Sequence, residues 1–323
     1  MNLKISIALA TYNGEKFLKE QLDSYALQTH PPDELVVCDD GSSDKTTKIL
    51  EAFAITAPFE VRIIHNDENL GYVRNFEKVI SLCRGDIICL SDQDDVWLPE
   101  KLHVIHQRFV RGNRIKIVAC DMILTNELLV PSGRTLLENA LEIHQDLRSF
   151  SYGCGTAISQ KFLDVLLPFP SEYFSHDGWI HDVAIAMNIR EIDRSTLQLY
   201  RRHAKNASNT SASRERLPTT FDILKEDGLK DVSDGWKLAI DRIEILLQRL
   251  DERSVAIDRL GLVTSLNHAR IALGREISDR NRRIAIVARP RTRRPPAIAR
   301  LWLTGGYSHF AGWKSAVKDL IRP

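Results

Sequence analysis

Residues 85–99 read GDIICLSDQDDVWLP, an apolar run that passes directly into a cluster of carboxylates. The run at 87–90 has the length and the β-branching of a buried strand. Three carboxylates then fall within four residues, at Asp92, Asp94 and Asp95, and a protein core does not hold such a group unpaired. The pattern predicts a strand whose carboxyl end opens onto a polar site.

The carboxylate cluster predicts a divalent cation. Carboxylates this close repel one another unless positive charge lies between them, and a hard cation with oxygen ligands supplies that charge. Mg²⁺ or Mn²⁺ is the expected cofactor. Asp92 and Asp94 suffice as protein ligands, because nucleotide phosphates and water can fill the other positions. The alternative is an acidic helix N-terminus, with Asp95 capping a helix that begins near Pro99.

Strands and helices alternate ahead of this segment. Strand patterns at 3–10, 34–38 and 61–65 are each followed by apolar residues at helical spacing. The alternation predicts an α/β fold with right-handed crossovers and a mostly parallel sheet covered by helices on both faces. Ligands of such sheets bind at the carboxyl ends of the strands. The polar clusters at 11–15 and 39–43 are therefore expected to meet the carboxylates.

A dinucleotide-binding dehydrogenase shares this alternation and must be weighed. It requires GxGxxG after the first strand, where the pyrophosphate meets a helix N-terminus. The chain has ATYNGE at 10–15 instead, so the phosphates are better held by the metal. The side chains then available for the base and the ribose are Thr11, Tyr12, Asp39 and Asp40.

Composition indicates a globular protein of a reducing compartment. The 323 residues are 43% hydrophobic, enough for one large domain or two modest ones. Five cysteines occur singly, without a CxxC pair, so no disulfide is expected. The opening apolar run is too short and too alternating for a signal peptide, and no stretch has the roughly 18 apolar residues of a membrane span. The first two thirds of the chain are therefore expected in the cytoplasm.

Five segments, taken together, resemble the inverting glycosyltransferases of family two, which have the GT-A fold. They are ATYNGEKFLKEQLDS (10–24), VVCDDGSSDKT (36–46), NLGYVRNFEK (69–78), GDIICLSDQDDVW (85–97) and HDGWI (176–180). The likeness covers residues 1–205 and is strongest to the bacterial rhamnosyltransferase-type members. It implies a Rossmann-like sheet of the kind found in nucleotide-diphospho-sugar transferases. A helical extension would follow that sheet in the chain.

The resemblance also implies a donor site. Asp39 or Asp40 would accept a hydrogen bond from a pyrimidine base. Asp92 would contact the ribose or the metal, and Asp94 would ligate the metal that bridges the diphosphate. The residues implied to line the nucleotide pocket are Ala10, Thr11 and Glu15.

The catalytic base is expected in HDGWI. Inverting transfer needs a base that takes the proton of the acceptor hydroxyl as its oxygen attacks the anomeric carbon. Asp177 matches the aspartate that the family uses for this purpose. His181 and Asp182 lie one helical turn later and also fit a solvated helix face, and Asp121 is a further candidate.

Three residues are assigned to the acceptor and one, with alternatives, to the metal. Trp179 can stack on an acceptor sugar, and Trp97 is assigned with it. Gly155 either lets a ligand approach the backbone or makes a plain turn. His203, in YRRH, is a third metal ligand, a phosphate contact or a surface histidine.

The C-terminal third has a different pattern. From about Leu217 it is helical only, and two amphipathic runs predict an antiparallel hairpin. Residues 281–323 carry ten Lys or Arg and one Asp, a net charge of +9, interleaved with aromatic residues. That composition is typical of an interfacial segment near anionic lipid. A nucleic-acid-binding tail is the alternative, which the donor motifs disfavour.

These patterns predict three parts and one function. The parts are a catalytic domain at 1–212, a helical hairpin at 213–280 and the basic segment at 281–323. Within the first, about 1–100 would bind the nucleotide and about 100–212 the acceptor. The function is metal-dependent inverting transfer of a sugar, such as rhamnose, from a nucleotide-diphosphate sugar to a lipid-linked or polysaccharide acceptor, at the cytoplasmic face of the membrane. The alternative is a catalytically silent nucleotide-sugar or membrane-binding adaptor.

Overall fold

The computed structural model describes residues 3–111, 115–143, 147, 150–173, 175–204, 206 and 233–322. The chain divides into two compact units, Met1–Leu217 and Pro218–Pro323. The boundary expected at 212/213 lies outside the described residues.

Four parallel strands form one half of the sheet in the first unit. β1 (Ile5–Thr11) lies between β2 (Glu34–Asp39) and β4 (Ile87–Ser91), and β3 (Glu60–His65) pairs with β2. Every residue of β2 and β4 is buried, as expected for aliphatic strands inside a parallel sheet. The carboxyl ends of these strands therefore meet at one edge.

Helices follow the first three strands, as the periodicity predicts. Each packs apolar side chains into the core: Leu22 in the first, Leu50 in the second, and Phe76 and Val79 in the third are buried. The predicted α/β architecture with flanking helices is confirmed. The first four helices are α1 (Leu18–Ala26), α2 (Thr46–Thr56), α3 (Tyr72–Leu82) and α4 (Lys101–Val110).

The other half of the sheet is mixed. Its strands are β5 (Val96–Trp97), β6 (Ile117–Thr125), β7 (Pro131–Thr135), β8 (Thr156–Ser159) and β9 (Arg190–Arg201). β8 runs antiparallel to both β4 and β6, whereas β9 runs parallel to β6 and antiparallel to β5. β7 runs antiparallel to β6. The helices of this half are α5 (Leu136–Glu142), α6 (Leu163–Leu166) and α7 (His176–Ala186).

The second unit is helical. Its helices are α8 (Ser233–Glu252), α9 (Ser254–Arg259), α10 (Val263–Val287), α11 (Pro295–Leu303) and α12 (Trp313–Ile321). α8 and α10 pack together and bury apolar residues such as Leu250 and Leu266. Because α10 continues to Val287, it crosses the division that the sequence placed between 280 and 281. The start of the basic segment is thus part of the longest helix of this unit.

A buried ionic network joins α10 to α12. Arg283 Nε and Nη2 donate to the two carboxylate oxygens of Asp319, at 2.7 and 2.8 Å. The hydroxyl of Tyr307 and the guanidinium of Arg322 donate to the same carboxylate, at 3.0 and 3.1 Å. Burial, followed by the charge of Asp319, raises the pKa of Tyr307 above its usual value. This network holds one face of α12 against the unit.

All five cysteines are buried free thiols. In the part of the chain that the structure describes, no helix combines the length and apolarity needed to cross a membrane.

Asp319→Ala tests the network. The variant leaves Arg283 and Arg322 buried without their counter-charge, which costs about 3–5 kcal/mol for a buried pair. Hydrogen exchange of the α12 amides should show this loss of protection. The control is Asp251→Ala, which removes the exposed pair with Arg270 and should cost less than about 1 kcal/mol. Equal protection in the two variants would show that Asp319 does not anchor α12.

Candidate active site

A cavity of about 610 Å³ lies at the carboxyl ends of the parallel strands. Thr11 at the end of β1, Asp40 after β2, and Asp92 and Asp94 after β4 line it. Asp177, from the first turn of α7, lines the same cavity. The structure therefore brings together the polar clusters that the sequence places in four separate segments.

The two aspartates that follow β2 have different surroundings. Asp39 is buried beside the cavity and accepts hydrogen bonds from Thr11 Oγ1 at 3.0 Å and from Ser42 N at 3.0 Å. Asp40 lines the cavity and accepts from the backbone N–H groups of Leu70 and Gly71, at 2.8 and 2.9 Å. Asp39 joins neighbouring loops, and Asp40 fixes the segment before α3.

The segment after β1 forms the rim. Ala10 and Tyr12 line the cavity, and the Tyr12 ring is 50% exposed. Gln93 bridges both backbone polar groups of Tyr12, at 2.9 and 3.0 Å, and thereby ties the ends of β1 and β4 together. Glu15 does not line the cavity; its carboxylate accepts from Lys45 N at 3.1 Å.

Negative charge accumulates where β4 ends. Burial, followed by the charges of Asp94, Asp95 and Asp177, raises the pKa of Asp92 well above its usual value. Burial and Asp94 raise the pKa of Asp95 to about 7. Both oxygens of Asp95 are engaged, by Arg201 N and by Gln198 Nε2 at 3.0 Å each. Asp92 and Asp94 are the members of this cluster that line the cavity.

The donor set fits a hard cation. The ligand atoms of Asp92, Asp95 and Cys154 lie within 4.8 Å of one another. Burial raises the pKa of the Cys154 thiol well above its usual value, and a neutral thiol is a poor ligand for Mg²⁺ or Mn²⁺. Carboxylate oxygens are the preferred ligands of such ions, so the chemistry favours Asp92 and Asp94.

His203 lies against this cluster, as its assignment as a metal ligand requires. Its Nε2 is 2.8 Å from Asp94 Oδ2, and the side chain is largely buried. Two ligands of one octahedral cation with bonds of about 2.1 Å lie roughly 3 Å apart, so both atoms can serve the same ion. A surface histidine, the plainest alternative, does not match this placement.

Arg201, to which the sequence pattern gave no role, organises this side of the cavity. Its Nε donates to Asp94 O at 2.7 Å and its backbone N–H donates to Asp95 at 3.0 Å. The guanidinium also donates to Glu127 O at 2.6 Å and lies over the Phe17 ring. The only sequence signal was its place in the YRRH segment at 200–203.

Asp177 is held at the N-terminus of α7. Ser175 caps the helix by accepting from Gly178 N at 3.0 Å, and its hydroxyl donates to Asp177 Oδ1. Gly178 N donates to the same oxygen at 2.8 Å. Burial is the first cause of the raised pKa values of Asp92 and Tyr72, and the charge of Asp177 contributes to both.

The alternative bases are not among the residues that line the cavity. His181 is buried with its Nε2 2.9 Å from Thr156 Oγ1, and burial lowers its pKa to about 3. Asp182 accepts from Tyr173 at 3.2 Å, and Asp121 is buried and accepts from backbone N–H groups. Position therefore favours Asp177.

The residues expected to contact the acceptor lie in the core. Trp179 is 0% exposed and donates its indole N–H to Leu166 O at 2.9 Å. Trp97 is buried with the ammonium of Lys101 3.8 Å from its ring centre. A Cβ at Gly155 would lie 2.7 Å from the Met122 methyl. These three residues have no surface to offer a sugar here, and their observed role is packing.

Other side chains, not selected from the sequence, form the cavity wall. Phe76 and His176 stack with ring centres 3.8 Å apart, and Tyr72 meets the histidine edge-on at 6.1 Å. A Cβ at Gly153 would collide with His176 Nε2, so glycine is required where the turn at 153–155 passes this ring. The cavity lining therefore combines these aromatic rings with the acidic side chains.

About half of the chain matches a known protein family. Residues 6–163 match the family described as Glycosyl transferase family 2. The dTDP-rhamnosyl transferase RfbG of Shigella flexneri is 29% identical over 225 residues, covering 64% of this chain and 75% of that protein. The Escherichia coli glucosyltransferase WfgD, named for UDP-Glc and α-D-GlcNAc-diphosphoundecaprenol, is 26% identical over 167 residues. That alignment covers 51% of this chain and 64% of the relative, which is less than two thirds of its length.

Solved structures show the same fold. The crystal structure of S. aureus TarS 1-349 in complex with UDP-GlcNAc has a TM-score of 0.52 at 17% identity, covering 98% of this chain and 88% of that one. Its complex with UDP gives a TM-score of 0.53 at 16% identity. At such identities the likeness is one of fold, that of the GT-A glycosyltransferases.

Proposed function

We propose that this chain, which carries a glycosyl transferase family 2 domain over residues 6–163, is a metal-dependent inverting glycosyltransferase. One observation carries the proposal: Asp92 and Asp94 line the same cavity as Asp177. The first two carboxylates suit a cation with its diphosphate, and the third suits proton removal. A donor and an acceptor that meet in this cavity would find both groups.

Asp92 and Asp94 would hold the cation, with His203 as a third ligand. Mg²⁺ or Mn²⁺ bound there would offset the charge of the diphosphate leaving group. Burial, followed by the charges of the neighbouring carboxylates, raises the pKa of Asp92, and a bound cation would offset both effects, which supports this assignment. Arg201 would keep Asp94 in place through the backbone carbonyl that it binds.

Asp177 would accept the proton of the acceptor hydroxyl. As the acceptor oxygen forms a bond to the anomeric carbon, the bond from that carbon to the diphosphate oxygen breaks and the diphosphate keeps the electron pair. Attack from the side opposite the leaving group inverts the anomeric configuration. Ser175 and Gly178 N orient the carboxylate for this role.

The donor would be a nucleotide-diphosphate sugar, and the acceptor a lipid-linked or polysaccharide glycan. Tyr12 and Asp40, which line the cavity with Ala10 and Thr11, would contact the base and the ribose. One relative is named a dTDP-rhamnosyl transferase, which supports a rhamnose-type donor. Another is named a glucosyltransferase for a diphosphoundecaprenol acceptor, which supports a lipid-linked acceptor. The reaction would take place in the cytoplasm, where five free thiols stay reduced.

Asp94→Asn should abolish cation-dependent binding of nucleoside diphosphates, because it removes a charged oxygen ligand without changing side-chain shape. Titration calorimetry with dTDP, UDP and GDP, in Mn²⁺ or in chelator, measures the effect. Asp86→Asn is the matched control, since Asp86 lies one residue before β4, at the opposite end of that strand, and the charge change is the same. Equal Mn²⁺-dependent affinity in the two variants would remove Asp94 from the metal site.

Asp177→Asn should leave donor binding unchanged and lower turnover by about 10²–10⁴-fold, the range for loss of a positioned general base. Saturation-transfer NMR against a panel of nucleotide sugars first identifies a donor. Release of nucleoside diphosphate from that donor then reports turnover, with water as a slow acceptor.

Asp182→Asn, on the same helix, is the matched control and should keep turnover near the wild-type rate. The base assignment fails if Asp182→Asn is the inactive variant and Asp177→Asn the active one. Donor binding by the wild-type protein without turnover on any acceptor tested would favour the adaptor alternative.

A further inference from the structure

The helix α12 buries polar residues and exposes large apolar ones, the reverse of an ordinary amphipathic helix. Its polar residues Ser315 and Asp319 are buried, at 7% and 0% exposure. Its apolar residues face solvent: Trp313 is 63% exposed, Val317 48%, Leu320 39% and Ile321 49%. Their spacing of four, seven and eight residues from Trp313 puts them on one face of the helix. We call these four residues the α12 stripe.

The ionic network accounts for this orientation. Asp319 on α12 accepts from Arg283, Tyr307 and Arg322, and all four side chains are buried. Rotating α12 to bury its stripe would break these charge-assisted bonds and leave buried charges unpaired, which costs about 3–5 kcal/mol for a buried pair. The stripe is thus fixed towards solvent by the fold.

The surroundings of the stripe are basic. Between residues 284 and 322 the only acidic residue is Asp319, whose charge is used inside the unit. Lys314 on α12 and Arg300 on α11 are exposed, and so are Trp302 and Leu303 at the end of α11. The other exposed cations of this stretch are Arg289, Arg291 and Arg293.

We propose that the α12 stripe is a docking surface for an anionic lipid bilayer. A helix that presents aromatic and aliphatic side chains beside Lys and Arg lies at the boundary between headgroups and acyl chains. Each nearby cation adds attraction to anionic headgroups. The charge pattern favours a bilayer over a second copy of this chain, because two copies would bring like charges together.

The structure shows that only part of residues 281–323 is accessible to a membrane. Arg283, Arg294 and Arg322 are buried within the unit, and so is Tyr307 at 1% exposure. These residues cannot meet a membrane while the unit is folded. Docking is therefore assigned to the α12 stripe and the exposed cations, and it needs no nucleotide or acceptor.

Vesicle cosedimentation of the full chain tests the proposal without nucleotide, using phosphatidylcholine vesicles with and without phosphatidylglycerol. The double variant Trp313→Ser/Leu320→Ser should lower the partition coefficient on anionic vesicles at least about tenfold, since it removes two apolar anchors. The matched control, Leu238→Ser/Ile271→Ser, changes two residues of similar exposure on α8 and α10, at 54% and 55%. It should bind like the wild type.

Charge is tested separately. Lys314→Gln and Arg300→Gln should each weaken binding about fivefold at 50 mM salt, the effect of about 1 kcal/mol per cation near an anionic surface. The difference should shrink at 500 mM salt, where the screening length is roughly 4 Å. Circular dichroism checks that every variant keeps its helix content.

Equal pelleting of the stripe variant and its control would overturn the proposal. So would a wild-type protein that is dimeric in lipid-free buffer and becomes monomeric in the stripe variant, because the stripe would then be an interface between copies. Since no donor or acceptor enters the assay, neither result bears on the proposed transferase activity.

Discussion

The repulsion among Asp92, Asp94 and Asp95 at the end of β4 is the constraint that the surrounding structure accommodates. The second half of the sheet supplies the partners: β9 brings Gln198 and the backbone of Arg201 to Asp95. Lys101 of α4, buried with its pKa lowered by desolvation, donates to Gln198 and to Cys154 O. Asp95 is thereby satisfied within the protein, and Asp92 and Asp94 are left facing the cavity.

Sequence could locate the four parallel strands from their local apolar patterns. It could also predict that the polar clusters converge, because the carboxyl ends of parallel strands meet at one edge of a sheet. It could not locate β8 or β9, whose pairings join segments far apart in the chain. It also missed β7, which pairs with the neighbouring β6 but whose sequence PSGRT lacks an apolar strand pattern. Trp97 and Trp179 show a second limit. An aromatic residue beside a carboxylate motif can stack on a ligand or pack in the core with the same local sequence, and only the tertiary structure places these two in the core.

The second unit illustrates the same limit in a helix. The apolar spacing in α12 is plain in the sequence, but spacing defines a face without saying which face turns inward. That orientation depends on Arg283 and Asp319, which are 36 residues apart in sequence. The basic composition of residues 281–323 likewise overstated the positive charge on the surface, because three of the arginines in this segment are buried.

We propose that the cavity at the strand ends, which Asp177 also lines, binds the donor diphosphate with a cation at Asp94. Anomalous diffraction at the manganese absorption edge, from crystals grown with Mn²⁺ and a nucleoside diphosphate, tests it most directly. We expect the anomalous peak of manganese within about 2.3 Å of a carboxylate oxygen of Asp94, with the nucleotide extending towards Tyr12 and Asp40. A peak at Asp95 and Cys154 instead, or a bound nucleotide outside this cavity, would contradict it.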